Sequence, residues 1–308
     1  MKTILLSILM LTSTFTFAGN ERAFSEHKVP VGNNNLYAKD YPGHGPTIIL
    51  LHGYPDNHTL YDSLIPYLND KHIIVFDFMG WGLSDKPKPK NYNYCSAQEE
   101  IEIEAVVDYF KLPSVILVPH DMSGPAAINW SLDHKEKSAG LIVLNTFYHN
   151  SKNRKIPFTG VLLSTPVIRQ ITLPFCIPNF LWTPVLKLSV HGFFMTKETR
   201  NAFVPKFMDQ FNTFAGKRPF FKTIKETKIL ARNNAKRLND VKQFNKPVCI
   251  IFGTGDQYLG EPMAEEFHTL FPNSELHLIN TAKHYPQIDS AKEVGEIINQ
   301  FAKQYVSN

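Results

Sequence analysis

Three side chains able to share one covalent hydrolytic reaction stand behind separate apolar runs, in the order carboxylate, carboxylate, histidine. The first is Asp121, where SVILVPH stops at an acid and is followed by Met122-Ser123-Gly124-Pro125. A buried carboxylate is costly unless it is solvated, paired or used. Pro125 suits the first turn of a helix, where its missing N–H is not needed. Strand, sharp turn and helix form a nucleophile elbow, which lifts its central side chain above the sheet. Asp121 holds the central place. Ser123 meets the need for a small residue two positions on, whereas Pro119 upstream departs from it. Asp256 follows PVCIIFG and His284 follows ELHLINT, which places an orienting acid and a base in the order nucleophile, acid, histidine.

A fourth element is Leu51-His52-Gly53-Tyr54-Pro55. The backbone N–H of Tyr54, with that of Met122, is expected to form an oxyanion hole. Two other frames stay open. Ser123 can be read as an esterase serine flanked by Asp121 and Pro125, and Asp121 as a solvated acid on a plain strand-helix turn. A protein that binds a ligand without turnover is a further reading, because a fold alone licenses no activity. His52 and His120 adjoin these turns, but no cluster has metal-ligand spacing, so neither a metal nor an organic cofactor is expected.

The elements that must hold these residues are legible as continuous apolar runs: TIILLHG, HIIVFDF, SVILVPH, GLIVLNTF, PVCIIFG and ELHLINT. Continuous rather than alternating hydrophobicity marks strands buried on both faces. Helices are expected over Leu60 to Leu68, Gln98 to Phe110, Pro125 to His134, Pro262 to Phe271 and Ala291 to Tyr305. The alternation predicts an α/β fold, a mostly parallel sheet with helices on both faces. Glu26 to Val31 and Leu36 to Lys39 are expected to add an antiparallel edge. Between 148 and 242 the rhythm breaks into Phe-rich, Lys-rich helical text, expected to be a helical cap inserted in a core of 19–147 and 243–308. Phe158, Phe175, Phe180, Trp182, Phe193, Phe194, Phe203, Phe207, Phe211 and Phe214 lie in it. Some are expected to line a pocket at the join for a small apolar substrate.

At 43% hydrophobic and 19% charged residues the chain is globular, and it has no apolar run long enough to span a membrane. Residues 1–18 carry one Lys, an apolar stretch and a small-residue end at Ala18, the layout of a secretory signal. A periplasmic or secreted protein is therefore expected. Cys95, Cys176 and Cys249 are too few for a disulfide framework, though a Cys95–Cys176 bridge is geometrically open. From His149 to Lys242 there are 17 Lys and Arg against 4 Asp and Glu, while the whole chain is only +4. Without an aromatic-basic recognition motif, a solvated basic face is expected rather than nucleic-acid binding. Oligomeric state is not legible.

On HGYPDNHTLYDSLIPYL, DFMGWGLSDKP, HDMSGPAA, LIVLNTF, GTGDQYLG and AKHYPQ, the chain resembles the α/β-hydrolase superfamily, in its Asp-nucleophile branch of haloalkane dehalogenases and epoxide hydrolases. The resemblance implies attack of the Asp121 carboxylate on an sp³ carbon, release of halide or opening of an epoxide, and an alkyl ester. His284, oriented by Asp256, would then activate water against that ester. It also implies N–H donors for a departing halide. Met122 and Tyr54 stand where Trp or Asn is usual, leaving Trp182 as the cap candidate. Epoxide opening calls for cap tyrosines, and Tyr148 at the border is the nearest. Asn145, after the LIVL run, resembles the dehalogenase branch and is a further candidate contact. Dehalogenase-like cleavage leads, with epoxide hydrolysis as the alternative.

Overall fold

The computed structural model describes residues 22–68, 70–157, 160 and 178–306, with the side chains of 224–228 and 305–306 excepted. The leader through Ala18, Cys176, Phe158 and Phe175 lie outside the described residues. Six apolar runs become parallel strands: β3 (His44–Leu51), β4 (Lys71–Phe76), β5 (Val115–Asp121), β6 (Ser138–Thr146), β7 (Val248–Gly253) and β8 (Ser274–Ile279). β1 (Ser25–Val31) and β2 (Asn34–Tyr41) add the expected antiparallel edge, giving the order β1-β2-β4-β3-β5-β6-β7-β8. β5 is covered on both faces up to its last residue, which is why it reads as unbroken apolar text.

Helices α1 (Ser96–Tyr109) and α2 (Gly124–Asp133) follow β4 and β5. The inserted segment between β6 and β7 carries α3 (Asn179–Ser189), α4 (Lys197–Met208), α5 (Phe214–Asn234) and α6 (Leu238–Lys242). After it come α7 (Glu261–Leu270), α8 (Pro286–Asp289) and α9 (Ala291–Val306). The helix expected over Leu60 to Leu68 is corrected: two short 3₁₀ turns, His58–Tyr61 and Ile65–Tyr67, stand there. Pro66 explains it, because it lacks the N–H that would continue an α-helical ladder.

The core is one cluster running from the strands into the insertion. Phe203, Phe207, Phe211 and Trp182 are buried in it, while Phe180 and Phe214 face outward. The insertion is tied down at Tyr54, whose hydroxyl donates to the Phe220 carbonyl at 2.9 Å, and at Gln210, whose amide donates to the Pro55 carbonyl at 2.7 Å. Arg237 adds a surface pair to Asp133. Among the described residues no helix is long and apolar enough to cross a membrane.

Candidate active site

Asp121 closes β5 with φ +49°, the left-handed region that a non-glycine residue enters at a cost. Its turn is held by Ser123, whose Oγ lies 3.0 Å from the Leu51 carbonyl and 2.9 Å from that of His120, and accepts the His120 amide at 3.0 Å. The hydroxyl is buried and committed to backbone, so Ser123 braces the elbow; it does not occupy the position of an esterase serine. Close approach needs two glycines. A Cβ on Gly53 would lie 2.7 Å from Asp121 Cβ, and one on Gly124 would lie 1.9 Å from Thr146 Oγ1.

The Tyr54 amide donates to Asp121 Oδ2 at 3.1 Å, and the Met122 amide holds the pKa of the same carboxyl down. Of the two amides expected of an oxyanion hole, that of Tyr54 bonds the carboxylate and that of Met122 acts on it. His284 donates through Nδ1 to Asp256 Oδ2 at 2.7 Å, which leaves Nε2 free for chemistry. Asp256 is fixed in turn by the Tyr258 amide at 2.8 Å and the Asn145 amide at 3.1 Å. His284 also touches the insertion: its own N–H donates to the Phe193 carbonyl at 3.2 Å, and the two rings pack at 4.9 Å.

Burial works against a charge on His284, but Asp256, through its charge and hydrogen bond, and the further charges of Asp121 and Asp56 hold it up at about 9. Burial pushes Asp256 upward too, yet His284 and backbone donors bring it down to about 2. For Asp121 burial wins and the carboxyl titrates above its usual range, opposed by His284, the Tyr54 amide and Arg154.

Two expected contacts are corrected. Asn145 does not turn toward a substrate: its Nδ2 reaches Asp256, the Gly253 carbonyl and the Leu259 carbonyl, and its Oδ1 accepts the Gly253 amide at 2.8 Å. Every polar atom of that side chain is used in holding the acid. Tyr148 is buried and its hydroxyl donates to Asn129 Oδ1 at 2.8 Å. Trp182 is buried edge-on against Phe220 at 4.8 Å, and its Nε1 has no partner among the described residues; Phe220 in turn stacks on Tyr54 at 4.8 Å.

Three ionisable groups near Asp121 have little sequence signal. Asp56, two residues past Tyr54, is fully buried; burial foremost, with the charge of Asp121, raises it to about 7. Glu99, on the first turn of α1, retains some accessible surface yet is enclosed, and burial with Glu102, Glu100 and Asp121 pushes its carboxyl well up. Arg154 lies over the Phe147 ring at 3.4 Å, and its guanidinium acts on Asp121. The HGYPD text hinted at Asp56 by proximity to the turn. Arg154 was one basic residue among many.

Elsewhere, Cys249, Glu275 and His277 bring ligand-type atoms within 4.8 Å of one another on β7 and β8, but His277 and Glu275 already pair at 3.2 Å. A groove of about 820 Å³ between Ser63 and Glu296 has neither Asp121 nor His284 in its walls.

A family model described as alpha/beta hydrolase fold matches residues 46–165. The chain is 25% identical over 292 residues to a cis-3-alkyl-4-alkyloxetan-2-one decarboxylase of Shewanella oneidensis, covering 90% of this chain and 88% of that one. It is 26% identical over 295 residues to a haloalkane dehalogenase of Mycobacterium marinum, covering 89% and 93%. The haloalkane dehalogenase DbeA from Bradyrhizobium elkani has the same fold, with a TM-score of 0.76 at 17% identity over 92% of this chain and 99% of that one. With this sheet order and the match over residues 46–165, the chain has the α/β-hydrolase fold.

Proposed function

We propose that this α/β-fold hydrolase forms an alkyl ester on Asp121 and cleaves it with water activated by His284. The observation that carries the reading is the seat of Asp121 Oδ2 against the Tyr54 amide, with the Met122 amide acting on the same carboxylate. If Oδ1 attacks an sp³ carbon, its lone pair forms the new C–O bond and the leaving group departs with the old pair. The ester carbonyl oxygen is then Oδ2, already held by the Tyr54 amide. Water attacking Cγ throws negative charge onto that oxygen, where donors are worth most. Water's proton goes to His284 Nε2, and the alkyl oxygen takes it up as the alcohol leaves.

The charge balance supports the sequence of steps. In the resting site the histidine, held up at about 9, is an imidazolium facing the Asp121 carboxylate. Alkylation removes the Asp121 charge and with it one of the groups holding that proton. With that hold weakened, Nε2 gives its proton to solvent once the ester exists, and the neutral His284 then acts as the base.

For the leaving group, dehalogenase-like cleavage is supported by the Mycobacterium marinum relative and by Trp182 Nε1, a buried donor without a partner among the described residues. Epoxide opening finds less support, because the hydroxyls of Tyr54, Tyr148 and Tyr285 go to Phe220, Asn129 and Asp56. A second reading, opening of a strained oxygen ring other than an epoxide, is favoured by Arg154 beside the nucleophile and by the likeness to the oxetan-2-one decarboxylase. The buried rings of the cap support a small, largely apolar substrate, and residues 1–18 support export. The test is intact mass of folded His284→Ala after exposure to bromoalkanes, epoxides and oxetan-2-ones, followed by peptide mapping. An adduct on Asp121 is expected, and its mass identifies the leaving group; an unlabelled Asp121 with every reagent would overturn the reading.

A further inference from the structure

Arg154 is placed beside the nucleophile by the sheet itself. Asp121 at the end of β5 pairs in register with Thr146 at the end of β6, and Thr146 Oγ1 donates to the Asp121 carbonyl. Phe147 is the next residue, buried, and the Arg154 guanidinium lies on its ring at 3.4 Å. The adjacent backbone is anchored where the Lys155 amide donates to the Tyr258 carbonyl at 3.0 Å. Tyr258 belongs to the loop that carries Asp256, so the backbone next to Arg154 is tied to that loop.

No carboxylate among the described residues makes an ion pair with Arg154, although the side chain is partly enclosed and burial draws its pKa down to about 10. Arg237 differs: it holds Asp133 and Asp240 at the surface. A partly enclosed guanidinium with no carboxylate partner among the described residues is suited to receive an anion. Asp121 alone cannot be that anion throughout the cycle, since alkylation removes its charge. At that moment a new anion has just left the substrate.

We propose that Arg154 is the anion-binding residue of the Asp121 site, and that its anion is a carboxylate set free when Asp121 opens a strained cyclic ester of the oxetan-2-one class. The proposal rests on the alkyl-ester reading above. Asp121 Oδ1 bonds to the ring sp³ carbon that carries the ring oxygen. That C–O bond breaks, its electron pair stays on the oxygen, and the oxygen becomes half of a carboxylate still tethered through the neighbouring carbon. The planar guanidinium fork matches two carboxylate oxygens at once, a match a spherical halide cannot use. Ring strain makes cleavage at the alkyl carbon accessible to a carboxylate, where an open ester would resist it.

Two measurements test the assignment. In Asp121→Asn, which removes the competing charge, calorimetric titration compares hexanoate with hexanamide. Hexanoate is expected to bind at least roughly tenfold tighter, as for a charge-assisted pair, and that preference is expected to vanish in Asp121→Asn/Arg154→Gln. Equal affinities for the two ligands in Asp121→Asn would overturn the proposal. In His284→Ala, the labelling rates of Asp121 by a 3,4-dialkyl oxetan-2-one and by 1-bromohexane are compared. The lactone-to-bromide ratio is expected to fall at least roughly tenfold on adding Arg154→Gln, with Arg154→Lys between, since it keeps the charge and loses the fork. An unchanged ratio would mean that Arg154 only steadies Asp121, and would overturn it. If neither reagent labels Asp121 while the hexanoate preference holds, the covalent reading fails and the anion site stands.

Discussion

Asp56 Oδ2 and His120 Nδ1 face each other at 4.0 Å, both fully buried and neither atom with a hydrogen-bond partner among the described residues. The gap is too long for a direct hydrogen bond. His120 uses its other nitrogen on the His284 carbonyl at 2.8 Å, so the pair lies directly behind the proposed base. Burial depresses a charge on His120 well below its ordinary range and raises Asp56 to about 7.

The raised Asp56 gives a stability signature. Its folded pKa lies above the ordinary 3.8, so between about pH 4 and 7 the folded protein holds a proton that the unfolded chain has lost. Asp56 therefore withdraws stability as pH rises through that window, by up to a few kcal/mol. Asp56→Asn is expected to flatten this part of a denaturation-versus-pH curve and to be more stable than the parent at pH 7. A variant curve parallel to the parent's would contradict it.

His284 acts in the opposite sense on charge and on a different window. With its folded pKa raised from 6.5 to about 9, its contribution to stability is complete below 6.5 and is lost as pH rises through 9. Asp256→Asn removes the leading partner, so that loss should largely disappear from the variant's unfolding curve. The same substitution should slow hydrolysis of the ester by roughly a hundredfold or more, the scale of general-base assistance, while alkylation of Asp121 continues. Single-turnover kinetics separate the two steps; equal slowing of both would count against the assignment.

Asn145 is expected to matter for catalysis without touching substrate. Asn145→Ala strands the Gly253 amide and frees Asp256 on one side, at a cost of about 1–3 kcal/mol. The loss in kcat should exceed the change in KM, and the apparent pKa of the hydrolytic step should shift because the His284–Asp256 pair loosens. A change in KM alone would assign Asn145 to binding.

Gly53→Ala tests the close approach beneath the oxyanion hole. The new Cβ would lie 2.7 Å from Asp121 Cβ and 2.9 Å from the His120 carbonyl, so the HG loop must shift and carry the Tyr54 amide off Asp121 Oδ2. Loss of one such donor costs roughly a hundredfold to a thousandfold in kcat. Because the donor serves the anionic stage, ester hydrolysis should suffer more than alkylation, measurable as accumulation of the Asp121 adduct. A variant with wild-type hydrolysis would show that the amide is dispensable.

Much of the scaffold was legible because it is local. A parallel strand buried on both faces must be written as a short apolar run, and a strand-end residue must stand at its stop; β5 with Asp121 and β7 with Asp256 follow directly. The chain order then points to His284. The error at Leu60 to Leu68 was local as well, since apolar spacing suggested one helix where Pro66 interrupts the N–H ladder between two short 3₁₀ turns. Asn145 was noticed, but its direction was not readable, because its partners lie more than a hundred residues away.

The sequence by itself determined the α/β architecture, the strand-end places of Asp121, Asp256 and His284, and the two amides expected to face Asp121. These follow from periodicity, turn chemistry and chain order, each contained within a few residues. Only the tertiary structure decided that Ser123 braces the elbow, that Asn145 serves Asp256, that Tyr148 turns to Asn129, and that Asp56 and Arg154 join the site. Their roles depend on burial and on fields from charges distant in sequence, and neither quantity exists until the sheet and the insertion have closed over them.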